Sequence, residues 1–336
     1  MRRPDAQTLF LWTVLVGGAL ALGYLSLFHQ PGHAGNQGVR GTSRNSPVQG
    51  RRAFGYLEAV CDLGPRYSGS EGMRRQQTLL INHFEQLGAR VRKQTFTARH
   101  PLDGSPVEMS NLIVEFHPDR ARRIMLCAHY DTRPFPDRDP RRPRGRFIGA
   151  NDGGSGVAVL MELAHHLRGL DRGLGVDIVL FDGEELVFDD RQGTYFLGSE
   201  HFARDYAANP PPHRYAAAVL LDMVGDAQLQ LYQERNSVSW PDSRPIVEEI
   251  WGTAKRMGVT EFIARPKHEI RDDHLPLHEI GRIPALDIID FDYPRSTSVS
   301  YWHTESDVPA KCSADSLFKV GIVVLEWLRT TKLASP

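Results

Sequence analysis

The chain has little cysteine. Among 336 residues only Cys61, Cys127 and Cys312 occur, an odd number that cannot pair completely within one chain and implies no disulfide framework. None stands in a Cys-x-x-Cys spacing, which excludes a structural zinc site built on thiolates. Each is expected to pack as a small buried hydrophobe, and the one pairing left open is a Cys61–Cys312 bridge in an oxidising compartment. Net charge is lacking as well: 40 Lys and Arg face 41 Asp and Glu, so no global field favours nucleic acid or an anionic membrane surface as partner. Nucleotide signatures are missing too. The run Asn151-Asp152-Gly153-Gly154-Ser155-Gly156 has neither the Walker lysine nor Gly-x-Gly-x-x-Gly spacing, which excludes a phosphate cradle there. No internal repeat and no second linker divides the chain after residue 51.

Long apolar runs are absent but for one. Leu9 to Phe28 is almost uninterrupted, and 20 residues at about 1.5 Å each cross about 30 Å of hydrocarbon. With Arg2 and Arg3 ahead of it, this segment reads as a transmembrane anchor. It leaves residues 1–8 in the cytoplasm and the remaining chain on the extracytoplasmic side. The rival is a cleaved signal with Ala19-Leu20-Ala21 at its processing site, which would release a secreted protein. Residues 29–50 turn to Gly, Asn, Gln, Ser, Pro and Arg without apolar period and read as a flexible linker. Residues 51–336 then form one domain, since 41% hydrophobic and 24% charged residues suit a sizeable α/β core.

Apolar spacing predicts helices over 51–63, 71–87, 155–167, 199–206, 244–257 and 313–328. It predicts strands over 113–116, 124–128, 176–181, 216–222 and 285–289. Runs such as Ile178-Val179-Leu180-Phe181 and Val219-Leu220-Leu221 are apolar on both faces, as strands at the centre of a helix-covered sheet must be. The expected fold is a single α/β domain with a mostly parallel mixed sheet between helices. In such sheets ligands sit beyond the carboxyl ends of the strands.

Chemistry-bearing residues cluster at those ends. His129 follows the strand ending at Ala128, with Asp131 placed to orient its imidazole. Asp152 stands in the glycine turn ahead of a helix. Glu184 and Glu185 follow the most apolar strand, and two adjacent carboxylates there repel unless a cation divides their roles. One of them can ligate a metal while the other accepts a proton. Asp222 closes a buried strand, where an unpaired charge costs several kcal/mol. Asp272 and His274 begin a turn, and Trp302-His303-Thr304 lies before the last helix. Each segment alone could be an N-cap, a surface turn or a hydrogen-bonded histidine. Together they supply the oxygen and nitrogen donors of a catalytic zinc site. The arginines at 138, 141, 142, 144 and 146 sit among prolines and read as a solvated loop, with capture of acidic peptide at a site mouth as the functional alternative.

His129-Tyr130-Asp131-Thr132, Asn151 to Gly156, Asp182-Gly183-Glu184-Glu185, Gly198-Ser199, Leu221-Asp222 and Trp302-His303-Thr304 resemble the ordered blocks of the zinc-dependent M28 peptidase clan. Asp272 to Pro276, Gly64-Pro65-Arg66 and Gly69-Ser70 are similar to the glutaminyl-peptide cyclotransferases within it. The resemblance spans about residues 54–328. It implies that Asp152, Glu185 and His303 ligate zinc and that Glu184 is the general acid/base. Asp272 would hold Glu184 through a shared proton, Asp222 would support that network, and Trp302 and His274 would bind substrate. The implied reaction converts the N-terminal Gln of peptides or proteins to pyroglutamate with loss of ammonia. In the aminopeptidase alternative a second zinc is held by His129 and Asp222, and Asp152 bridges both ions. A catalytically silent, membrane-tethered binding domain is the non-enzymatic alternative. The chain departs from animal cyclotransferases in having no tryptophan between Glu185 and Gly198 and no cysteine pair near the site.

Overall fold

The computed structural model describes residues 46–334, apart from 171, 190–191 and 296–299. The expected anchor over 9–28, and nearly all of the linker, lie outside the described residues. Among the described residues no helix is long and apolar enough to cross a membrane. Packing begins ahead of residue 51. Val48 is fully buried, and the Gln49 backbone N–H donates to Glu162 Oε1 at 2.7 Å, so the end of the expected linker is already part of the core.

In chain order the elements are α1 (Gly50–Cys61), α2 (Glu71–Gln86), β1 (Arg90–Arg99), β2 (Pro106–Phe116), β3 (Arg122–His129), α3 (Gly156–Leu167), β4 (Gly175–Phe181), β5 (Val187–Asp189), β6 (Gln192–Gly193) and α4 (Leu197–Ala208). Then follow β7 (Arg214–Asp222), β8 (Leu231–Gln233), α5 (Arg235–Ser239), α6 (Arg244–Met257), β9 (Phe262–Pro266), α7 (His274–Glu279), β10 (Ala285–Ile289) and α8 (Ala314–Thr330). Six strands form the main sheet in the order β1-β2-β4-β3-β7-β10. The four from β4 to β10 are parallel, while β1 and β2 add an antiparallel edge. The sheet is therefore mixed and mostly parallel, between helices, as expected.

Period-two alternation sends neighbouring residues to opposite faces. Ile124, Leu126 and Ala128 of β3 join one core with residues of α1, α3, α6 and α8, among them Leu57, Leu163, Ile250 and Trp327. Met125 and Cys127 join the other, smaller core with Phe202 of α4 and Leu277 of α7. Each such fully buried side chain contributes about 1.5–3 kcal/mol. At the amino ends of the strands Arg123, with no exposed surface, is held by Asp177 at 2.9 Å from its Nε, and Tyr215 Oη donates to the same carboxylate at 2.6 Å. The parallel strands β3, β4, β7 and β10 finish together at His129, Phe181, Asp222 and Ile289, which gathers the candidate residues at the opposite end of the sheet.

The three cysteines are free and buried, in keeping with their expected role as small hydrophobes. His274, expected to open a turn, instead opens the short helix α7.

Candidate metal centre and active site

The centre is assembled by turns whose backbone is held from a distance. Between β3 and α3 the chain makes a kinked turn at Asn151–Ser155, with Gly153 at φ +82°. A Cβ there would lie 2.5 Å from the Asp131 carbonyl oxygen and 3.1 Å from His129 Cε1, so only glycine fits. Asp307 accepts the N–H groups of Asn151 at 2.8 Å and Asp152 at 3.1 Å, and Tyr293 Oη donates to it at 2.9 Å. Asp131 does not orient His129 as expected. Its oxygens accept the backbone N–H groups of Glu184 at 3.2 Å and Glu185 at 2.9 Å. His129 Nδ1 stands 3.8 Å away and is buried without a hydrogen-bond partner. Asp131 thereby fixes the glutamate pair instead.

Donor atoms of Asp152, Glu185 and His303 lie within 4.8 Å of one another, and those of His129, Asp152 and Asp222 form a second such group. Asp152 is common to both. His303 Nε2 is 3.3 Å from Asp152 Oδ2 and 3.3 Å from Glu185 Oε1. His129 Nε2 is 3.3 Å from Asp152 Oδ1 and 3.2 Å from Asp222 Oδ1. The residues fit zinc: the donors are nitrogen and oxygen, all are buried, and Asp152 Oδ2 lacks a hydrogen-bond partner although His303 is beside it.

Electrostatics separate the two glutamates. Burial alone would push the Glu185 carboxyl up, yet the Arg133 charge, with that of His303, draws it down to about 2. Burial, followed by the Glu185 charge, pushes Glu184 well above the ordinary carboxyl range. Burial lowers an imidazole, but Glu185 and Asp152 raise His303 to about 9. Asp152 is held below its ordinary range, since His129 and His303 outweigh its burial. Asp272 is pushed well above by burial and then by the charge of Asp222. Glu185 is thus an anionic donor, while Glu184 can both hold and release a proton.

A cavity of about 380 Å³ opens over these groups, lined by Glu184, Asp272, Tyr195, Phe196, Phe291 and Trp302 among others. Phe291 meets Trp302 edge-on at 5.1 Å, and the Arg138 guanidinium covers the Trp302 ring at 4.1 Å. Tyr195 and Phe196 stand in the segment that has no tryptophan. Asp272 shares the cavity with Glu184, but no hydrogen bond joins them among the described residues; its Oδ1 accepts the Asp273 N–H at 2.6 Å. His274 is not among the lining residues. It is fully buried, with Nε2 3.3 Å from Glu234 Oε2 and its ring 5.6 Å from that of Trp240, so α7 turns it into the protein rather than toward substrate. The arginine loop is tied down, with Arg142 paired to Glu305 at 2.7 Å and Arg144 over the Phe135 ring at 5.6 Å.

Two residues at the centre carried no sequence signal. Arg133 is fully buried and places Nη1 2.7 Å from Glu185 Oε2 and Nε 2.7 Å from Asp137 Oδ1. Asp137 in turn stands 3.7 Å from His303 Nδ1.

The model for peptidase family M28 matches residues 111–328. The Bos taurus glutaminyl-peptide cyclotransferase is 27% identical over 315 residues, covering 80% of this chain and 81% of that protein. Among solved structures, the glutaminyl cyclase of Fimbriiglobus ruber is 41% identical with a TM-score of 0.79, covering 84% of this chain and 96% of its own. A Zn-dependent exopeptidase from Parabacteroides distasonis is 32% identical with a TM-score of 0.77, covering 84% and 98%. The chain belongs to peptidase family M28, close to its glutaminyl cyclases.

Proposed function

We propose that this protein is a zinc-dependent glutaminyl-peptide cyclotransferase that closes the N-terminal Gln of peptides or proteins to pyroglutamate. One observation carries the reading: the Glu184 carboxyl, pushed up by burial and by Glu185 and making no hydrogen bond among the described residues, faces a small cavity directly beside the Asp152, Glu185 and His303 donors. The similarity to glutaminyl cyclases supports it. Zinc held by those three donors would polarise the side-chain amide carbonyl of the Gln. Trp302 and Phe291 wall the glutaminyl side chain so that the α-amine is brought to its own amide carbon. Glu184 accepts a proton from the attacking amine as the new N–Cδ bond forms. It then returns that proton to the departing nitrogen, which leaves as ammonia when the old C–N bond breaks. Burial and then the charge of Asp222 push the Asp272 carboxyl toward its neutral form, which limits the negative charge against which Glu184 must work. We assign one zinc per chain, with His129 and Asp222 bracing Asp152 by their own contact.

A second reading is favoured by the donor group of His129, Asp152 and Asp222 and by the similarity to an exopeptidase. Two ions there would suit an aminopeptidase in which Glu184 activates water against the first peptide bond. Incubation with a Gln-initiated and a Leu-initiated peptide separates the two: ammonia loss from the first supports cyclisation, and free leucine from the second supports hydrolysis. Neither product would contradict both. For location, the apolar run over 9–28 behind Arg2 and Arg3 supports a tether that keeps this domain on the extracytoplasmic side.

A further inference from the structure

The buried Arg133 has no place in the reaction just described, yet it touches two of the donors, Glu185 and His303, together with Asp137 and Tyr195. Its Nη1 lies 2.7 Å from Glu185 Oε2 and 3.4 Å from His303 Nε2. Its Nη2 donates to Tyr195 Oη at 3.1 Å, and Tyr195 lines the cavity. Its Nε is 2.7 Å from Asp137 Oδ1. The guanidinium fork is planar and always charged, so these contacts hold it in one orientation.

We propose that Arg133 is a positioning residue that reserves one oxygen of Glu185 for itself and leaves only Oε1 to the metal, weakening zinc binding while fixing the ligand. This rests on the zinc reading of the site. Glu185 Oε1 faces His303 at 3.3 Å, whereas Oε2 is capped by the guanidinium, so both oxygens cannot reach one ion. A cation this close to an ion site also opposes the ion directly. Asp137 moderates that effect by drawing on the same guanidinium and by standing near His303 Nδ1. The two residues therefore push zinc affinity in opposite directions, Arg133 down and Asp137 up. Tyr195 extends the chain of contacts to the substrate cavity.

The test is zinc affinity, measured without turnover by competition against a chelator on the purified protein. Arg133→Met removes the cap and should bind zinc about tenfold tighter, and Asp137→Asn should bind it about tenfold weaker, at the low end of what neighbours of metal ligands contribute. Arg133→Lys keeps the charge but loses the fork that caps Oε2, so it should bind zinc more tightly than wild type and less tightly than Arg133→Met. A role in folding alone would weaken binding in all variants, so the opposite signs identify the proposal. If Arg133→Met does not fold, unchanged zinc affinity in Asp137→Asn would overturn the assignment by itself. Weaker binding by a folded Arg133→Met overturns it as well. Wild-type protein that binds no zinc would remove the metal reading and this inference with it. Variants that differ as stated, in a protein that releases no ammonia from Gln peptides, would uphold the Arg133 role and contradict the cyclisation reading.

Discussion

Replacing Glu184 by Gln isolates the proton step from everything else the centre does. The side chain is 9% exposed, accepts no hydrogen bond among the described residues, and stands 4.0 Å from His129 Nδ1. The amide is isosteric, so the cavity keeps its shape and the Asp152, Glu185 and His303 donors keep their positions. What disappears is a group able to take and return a proton, worth 10²- to 10⁴-fold in rate, or about 3–5 kcal/mol of barrier. kcat for ammonia release from a Gln-initiated peptide should fall by that factor, with KM changed less than about threefold, because Trp302 and Phe291 still hold the substrate. Zinc content should stay at the wild-type value. Stability should hold or rise slightly, since Glu184 is a buried carboxyl raised by burial and by Glu185. A coupled ammonia assay, metal analysis and thermal melt on one preparation read all three quantities. A loss of kcat below about tenfold would refute the proton-carrier role. A parallel loss of zinc would show instead that Glu184 is a ligand.

Glu185→Gln and His303→Ala should lose zinc on dialysis against a chelator under conditions where wild type retains it, while Asp222→Asn retains it, as metal analysis would show. Two zincs in wild type and one in Asp222→Asn would favour the two-metal arrangement. Asp177→Ala leaves Arg123 buried and unpaired at the far end of the sheet. It should cost about 3–5 kcal/mol in urea unfolding with little change in kcat/KM of the folded fraction. Glu234 is drawn to about 2, with burial opposing and His274 prevailing. A depressed carboxyl contributes stability above its unfolded value near 4.5, and that stability is lost as pH falls toward 2. Glu234→Gln should therefore trail wild type by at most about 3 kcal/mol near neutral pH, and the gap should close between about pH 4.5 and 2 in denaturant melts.

The central strands were legible because they are apolar on both faces and end in polar residues: β3 into His129, β4 into Asp182, β7 at Asp222. That pattern also located the candidate centre, since parallel strands deliver their carboxyl ends to one side. The edge strand β1, Arg90–Arg99, was not legible. It is half exposed and charged, and it is held by its ten-residue register with β2 rather than by an apolar period. His274 does not share the cavity with Asp272 because α7 begins between them: Asp272 precedes the helix and lines the cavity, while His274 opens the helix and turns inward to Glu234. Arg133, Asp137 and Asp307 left no local trace. Asp307 reaches Asp152 across 155 positions, and a buried arginine is indistinguishable in sequence from one in a surface loop. Asp131 showed the cost of assuming a nearest-neighbour partner, because the backbone N–H groups of the next strand's turn claim its oxygens first.

In the proposed reaction a single zinc at Asp152, Glu185 and His303 is what enables Gln cyclisation. Zinc per chain and ammonia release from a Gln-initiated peptide, followed together through a chelator titration, test that claim most directly. The prediction is about one zinc per chain, with the rate falling to background in proportion to its removal and returning on adding zinc back. Ammonia release that persists in zinc-free protein, or that vanishes only with loss of a second ion, would contradict it.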